Sequence, residues 1–353
     1  MSFFKRLYQN FAFAVSQIRW FYGEAANHRV KMIPGSERLP VFLQTVRFVI
    51  WKARNQAIWW RAIPGGSELN RITPEMEERF LTGFDDASIA AIRDTAFFIY
   101  RDSLNADRTI IMHKRGDIPA KRSEFEKALP NLKARFTLPP GIPFTPEVFL
   151  YRHGLALVPG FVLEYLKGKV FLDAGAFIGD SLLALLDYAP SLVISFDMSK
   201  NNRELFLQTM KANGVPDDKY LLVSKGLGES SGKISFDDTG RSNTTFYMSG
   251  ADETDVISVD DYCIPRPDRK IGFIKADIEG FGLKMARGML ETVRRDRPVL
   301  SLAVYHCPDE FFGIKLLLEK EKIDYVFRFF HLHYTRDCEM VLFGWPREIE
   351  KNV

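Results

Sequence analysis

Downstream of residue 141 the chain alternates short apolar runs with stretches whose apolar positions recur every three or four residues. Val170–Leu172, Leu192–Phe196, Tyr220–Val223, Ile271–Ile274 and Val299–Val304 contain almost no polar residue, the pattern of strands buried on both faces. Asp180–Tyr188, Asn201–Asn213 and Gly282–Arg294 lie between them and read as amphipathic helices. Strand and helix in alternation predict an α/β fold with a mostly parallel sheet covered by helices. Tyr325–Phe330 and Met340–Trp345 are separated by a turn, which predicts an antiparallel hairpin at the C-terminal end of the sheet. Lys233–Phe236 and Thr244–Met248 predict a small inserted hairpin.

The first 140 residues carry mainly helical periodicity. Ile89, Ile92, Ala96 and Ile99 recur at near-helical spacing behind Asp85 and Asp86, and Thr73 before Pro74 marks a helix start. Leu138-Pro139-Pro140-Gly141-Ile142-Pro143 interrupts any regular element, so the expected division is a helical region 1–140 and a second domain 141–353. Phe3, Phe4, Leu7, Tyr8, Phe11, Val15, Ile18 and Tyr22 form an apolar stripe near Lys5, Arg6 and Arg19. Such a stripe can dock on the protein, join two copies in a homo-oligomer or lie on a membrane surface; docking or dimerisation is the favoured reading.

Charge changes the picture because it is segregated. Residues 1–61 hold ten Lys or Arg against two acids, a net +8, which leaves −5 for the rest of a +3 chain. An acidic remainder speaks against a nucleic-acid substrate. Cys263, Cys307 and Cys338 match no metal-binding spacing and suit a reducing compartment. The run Val41–Trp60 contains Arg47, Lys52 and Arg54, which makes it a poor membrane span, and Met1–Tyr22 lacks a signal-peptide cleavage site. The expectation is a cytoplasmic protein, with the basic leader able to hold it at the inner face of a membrane.

Candidate chemistry sits at strand ends. Val170–Leu172 leads into Asp173-Ala174-Gly175-Ala176-Phe177-Ile178-Gly179-Asp180-Ser181, a carboxylate, a Gly-rich turn and a helix start. Ligands of doubly wound sheets bind outside the carboxyl ends of the strands. The acid precedes two glycines four residues apart, so the turn differs from a dinucleotide fingerprint; the alternative is an ordinary strand-to-helix turn with a capping acid. Asp197 ends the next strand, where a carboxylate can accept both ribose hydroxyls, or can simply cap the following helix. Lys275, Asp277 and Glu279 alternate at the end of Ile271–Ile274, as a reactive group or a structural Lys–Asp pair. His306 ends Val299–Val304 at the same rim, where an imidazole of near-neutral pKa would serve as a base or merely pack. His331 and His333, two apart, could join Asp277 around a metal, but an exposed or aromatic-packed pair is favoured and no metal site is assigned.

In order, DAGAFIGDS, ISFDMSKNN, GLGESSGKISF, ISVDDY, FIKADIEGFGLKMARG and AVYHCPDEF resemble the FkbM methyltransferase family over about Glu147 to Pro346. The resemblance implies a Rossmann-like class I methyltransferase fold, S-adenosylmethionine as cofactor, and O-methylation of a sugar, glycan or natural-product hydroxyl, often within polysaccharide biosynthesis. It assigns Asp173, Gly175, Ala176, Gly179, Asp180 and Ser181 to the cofactor loop, and Asp197 and Asn202 to the ribose. Lys275, Asp277, Glu279 and His306 become the catalytic candidates, with His306 or Asp277 taking the acceptor's proton. Two other readings compete: a nucleotide-binding oxidoreductase on the same sheet, and a noncatalytic cofactor-binding module within a glycan-assembly complex.

Overall fold

The apolar runs become strands because each can be covered on both faces. The computed structural model describes residues 74–92, 118–236, 252–334 and 339–352. Its strands are β1 (Val170–Ala174), β2 (Leu192–Phe196), β3 (Tyr220–Val223), β4 (Gly226–Gly228), β5 (Gly232–Phe236), β6 (Asp252–Ser258), β7 (Ile271–Ala276), β8 (Val299–Ala303), β9 (Tyr325–His331) and β10 (Met340–Pro346). Seven of them form one sheet in the order β3-β2-β1-β7-β8-β10-β9. The first five in that order run parallel, and β10 pairs antiparallel with both β8 and β9. This is the mostly parallel sheet with a C-terminal hairpin expected for a class I methyltransferase.

Alternate side chains of β1 enter opposite cores. Val170, Leu172 and Ala174 pack with Met289, Leu300 and Phe311 on one face, whereas Phe171 packs with Phe206, Phe273 and Phe343 on the other. Between β1 and β7 the register slips by one residue: Val170 faces Ile271, but Phe171 faces Phe273. Gly272 is the extra residue of this bulge, and a Cβ on it would sit 2.4 Å from that of Lys169. Beyond the bulge Asp173 lies directly beside Lys275, and Lys275 beside Ser301 of β8.

The segment Gly282–Arg294 forms two helices, Gly282–Arg287 and Leu290–Asp296, rather than one. The break is a docking event. Gly288 lies against β4, where an added Cβ would approach the Gly228 carbonyl to 2.3 Å, and its own carbonyl accepts from Asp260 N at 2.8 Å. The Asp260 carboxylate then receives the amides of Glu291 (3.0 Å) and Thr292 (2.7 Å), capping the second helix from outside. The inserted hairpin is also revised: β5 pairs antiparallel with β6, which pairs parallel with β4, and Thr244–Met248 lies outside the described residues. An additional helix, Pro308–Lys320, follows β8.

Upstream, a helix begins at Pro74 as the sequence predicts, and another spans 86–92 with Asp85 Oδ1 accepting from Ser88 N at 2.9 Å. Ile92 and Phe80 join the first core, while Phe125 and Leu132 of the helix Ile118–Arg135 join the second. Ala96, Ile99, Cys338 and the aromatic stripe of residues 3–22 lie outside the described residues. Among the described residues no helix is long and apolar enough to cross a membrane.

Candidate active site

The residues singled out in the sequence converge at the carboxyl ends of β2, β1, β7 and β8, four neighbours in the sheet. Gly175 turns the chain after β1 at φ +80°, a conformation unfavourable for residues with a side chain. A Cβ there would lie 2.0 Å from the Asp277 carbonyl oxygen, so the loop after β1 rests directly on the loop after β7. The amides of Gly175 and Ala176 both donate to the Phe196 carbonyl at 3.0 Å, which ties the same loop to β2. Gly179, at φ +83°, packs where a Cβ would meet Met210 at 2.6 Å.

Asp197 braces this loop from the β2 side. Its carboxylate accepts from Phe177 N (2.8 Å) and Ser199 N (2.9 Å), with Asn202 Nδ2 farther off at 3.4 Å. Ser199 caps the next helix by accepting from Asn202 N at 3.1 Å. Burial lifts the Asp197 carboxyl to about 6 although these amide hydrogen bonds oppose it. Asn202 Oδ1 is buried without a hydrogen-bond partner. Asp180 begins the helix Asp180–Leu185, accepts from Ser181 N at 2.9 Å, and is likewise raised by burial, to about 6.

Asp173 does not present its charge to the rim. It is fully buried, with Lys275 Nζ 3.0 Å from its Oδ1, and Lys275 also donates to the Gly175 carbonyl at 2.7 Å. Burial works against the ammonium charge of Lys275, but Asp173 and Asp277 outweigh it and keep the group protonated. The lysine's ion-pair partner is therefore Asp173 across the strands, not Asp277 along its own.

Above this pair lies His153, whose Nε2 is 2.9 Å from Ser181 Oγ and whose carbonyl accepts from Ser301 Oγ at 2.6 Å. Burial, aided by Lys275, depresses the imidazole to about 3. A histidine held neutral contributes stability that is complete above its unfolded pKa, about 6.5, and is lost as pH falls toward 3, by roughly 1.4 kcal/mol per unit. His153 has φ +52°, which asparagine tolerates. Melting of His153→Asn should thus depend less on pH between 6 and 4 than melting of the wild type; parallel curves would refute the assignment.

On the far side of the rim His306 sits in a cage of carboxylates. Nδ1 is 3.1 Å from Glu310 Oε2, and Nε2 is 3.2 Å from Asp277 Oδ1 and 3.6 Å from Glu279 Oε2. Burial disfavours its charge, yet the proximity of Asp277 and the hydrogen bond to Glu310 prevail and push it up to about 10. Such an imidazole already holds its proton at neutral pH, which corrects the expectation of a near-neutral base. Burial would raise Asp277, but His306 and Lys275 hold it down at about 2; Glu279, with burial dominant, rises to about 7.

Two further acids border the cage. Glu339 accepts from Tyr305 Oη at 3.1 Å and is pushed well above the carboxylate range by burial and by Asp277; Glu147 is raised to about 7, mainly by burial. Among the described residues the one His, Cys, Asp or Glu group able to share a metal is Asp277, Glu279 and His306, each offering an atom within 4.8 Å of the others. His331 and His333 do not join it: His331 ends β9, and His333 lies against Tyr334, ring centroids 4.3 Å apart.

The model of the FkbM methyltransferase domain matches residues 173–338, which contain both halves of this rim. Residues 173–338 are an FkbM methyltransferase domain. The FkbM methyltransferase of Methylobacillus flagellatus KT shares the fold, with a TM-score of 0.51 and 17% identity over 76% of this chain. The present chain spans 58% of that longer one. An rRNA methylase from Streptococcus thermophilus (TM-score 0.36, 13% identity, 53% of this chain and 91% of that one) is a more distant likeness. So is M. capricolum TrmK in complex with S-adenosylhomocysteine (0.33, 9%, 57% and 69%). A comparison with curated protein sequences returns no match.

Within the FkbM domain, Glu310 was hidden from sequence reasoning although proline at the first helical position and acids in the first turn mark its helix. His153, Glu147 and Glu339 carry no comparable signal, because none ends a parallel strand.

Proposed function

We propose that this FkbM domain takes a methyl group from S-adenosylmethionine and places it on a hydroxyl of a sugar, glycan or related natural product. The observation that carries the reading is the contact of the Gly175 loop with the Asp277 carbonyl, which sets a ligand cradle directly beside a rim of carboxylates. The cradle fits the cofactor by its own chemistry. Asp197 and Asn202, the latter with an unpaired buried oxygen, suit the ribose diol, and Gly175 leaves backbone open to close approach.

S-adenosylmethionine would supply an electrophilic methyl on a sulfonium. The acceptor oxygen gains that methyl, the carbon–sulfur bond breaks to leave a neutral thioether, and the hydroxyl proton must depart. Asp277 and Glu279 are partly exposed carboxylates able to orient the hydroxyl and receive its proton, whereas His306 is already protonated. The Asp277 carboxylate, charged at neutral pH, and the partly ionised Glu147 and Glu279 favour a neutral polyol over a phosphate at the reacting position.

Titration calorimetry of the full chain with S-adenosylhomocysteine tests the donor. Saturable binding is expected, weakened roughly 10- to 100-fold in Asp197→Asn by the loss of charge-assisted hydrogen bonds. No binding to the folded protein would reject the cofactor. Labelled methyl transfer to nucleotide- and lipid-linked sugars then tests the acceptor class; binding without transfer to any of them would favour a noncatalytic module.

A further inference from the structure

The cage around His306 has a shape that methyl transfer alone does not require. We propose that Asp277 Oδ1, Glu279 Oε2 and His306 Nε2 form a binding site for one divalent cation.

Spacing is the first argument. Oxygen and nitrogen ligands bind hard or borderline divalent ions at about 2.1 Å, so neighbouring ligands on one octahedral face lie about 3 Å apart. The distances from Nε2, 3.2 and 3.6 Å, are close to that edge, and the third ligand pair falls within the same 4.8 Å limit. A small contraction around an ion completes the face.

Orientation is the second. Metal-bound histidines characteristically donate their other ring nitrogen to a carboxylate, which fixes the tautomer. Here Nδ1 meets Glu310 Oε2, and Glu310 is itself locked by accepting from Gly282 N at 2.6 Å with 1% of its surface exposed. The nitrogen left facing Asp277 and Glu279 is Nε2. The His306 side chain is nine-tenths buried, and although Nε2 is close to two carboxylates it makes a well-formed hydrogen bond to neither.

Charge is the third. Five acids, Glu147, Asp277, Glu279, Glu310 and Glu339, crowd this end of the sheet, and the nearby ammonium of Lys275 is committed to Asp173. A divalent ion exchanged for the Nε2 proton of His306 would add one positive charge to this acidic end of the sheet. Two carboxylates and one imidazole suit Mn²⁺ or a similar ion better than Ca²⁺, which prefers all-oxygen coordination. Facing the rim, such an ion would bind and acidify an acceptor hydroxyl. That catalytic part rests on the methyl-transfer reading, whereas the binding site does not.

The test is Mn²⁺ titration of the chelator-treated full chain, followed by electron paramagnetic resonance. One saturable site is expected, with pulsed spectra showing a coordinated imidazole nitrogen. His306→Ala should remove the nitrogen signal, and Glu310→Gln should weaken Mn²⁺ affinity 10- to 100-fold while keeping the ligands. Asp217→Asn, an exposed acid far along the chain, serves as a charge control and should change nothing. Absence of saturable Mn²⁺ binding, or binding unchanged in His306→Ala and Glu310→Gln, overturns the site. S-adenosylhomocysteine titrated into the same samples reports on fold and donor separately, so loss of one reading is distinguishable from loss of the other.

Discussion

Replacing Lys275 by methionine should cost the protein about 3–5 kcal/mol, because it leaves the buried Asp173 carboxylate without its cationic partner. Asp173 is wholly buried and Lys275 is 3% exposed, so solvent screening cannot soften the loss. For a protein of this size the change corresponds to a fall in melting temperature of roughly 10 °C. The double variant Asp173→Asn/Lys275→Met removes both charges and should recover most of the loss, since neutral replacement of a buried pair is often nearly neutral in energy. Thermal denaturation of the three proteins decides the matter. A single variant that melts within 2 °C of the wild type, about the size of error expected for a surface change, would mean that the pair is not what holds the strand ends together.

The second large effect is on turnover. Asp277→Asn keeps the shape of the side chain and leaves the backbone carbonyl that meets Gly175 in place, so cofactor binding should persist within about threefold. Methyl transfer should nevertheless fall by roughly 10²- to 10⁴-fold, the range usual for loss of a positioned proton-transfer group. Asp277 also stays charged at neutral pH, held down at about 2 by His306 and Lys275 against the effect of burial. Steady-state rates with labelled donor, alongside calorimetry with S-adenosylhomocysteine, separate the two quantities. Turnover equal to the wild type would move the chemistry away from the β7 rim.

Much of this architecture is visible in the sequence, for a physical reason. Strands buried on both faces must be apolar throughout, so β1, β2, β7 and β8 stand out as runs such as Leu192–Phe196. Their ends stand out equally, since charged groups beside glycine turns are rare in cores; that is how Asp173, Asp197, Asp277 and His306 were found. Tertiary neighbours are another matter. The charge state of His306 depends on Glu310, which arrives from a later helix, and on Asp277 and Glu279 from the preceding strand end. No spacing rule foretells that a candidate base will be saturated with its proton. The partner of Lys275 was equally hidden: the bulge at Gly272 sets the register that puts it beside Asp173. The break at Gly288 is imposed by the small sheet, not by local propensity, because glycine inside a helix costs only about 1 kcal/mol.

The contact between Gly175 and the Asp277 carbonyl also has a thermodynamic meaning. One loop holds the cradle side of the rim and the other begins the carboxylate side, and they touch with no room for a single methyl group between them. A shift of either loop must be accommodated by the other, so filling one side is expected to change the energy of filling its neighbour. Linkage then requires reciprocity: by whatever factor one ligand alters the affinity of the second, the second alters that of the first, commonly 5- to 150-fold. Order of addition would be a property of this backbone contact rather than of either ligand.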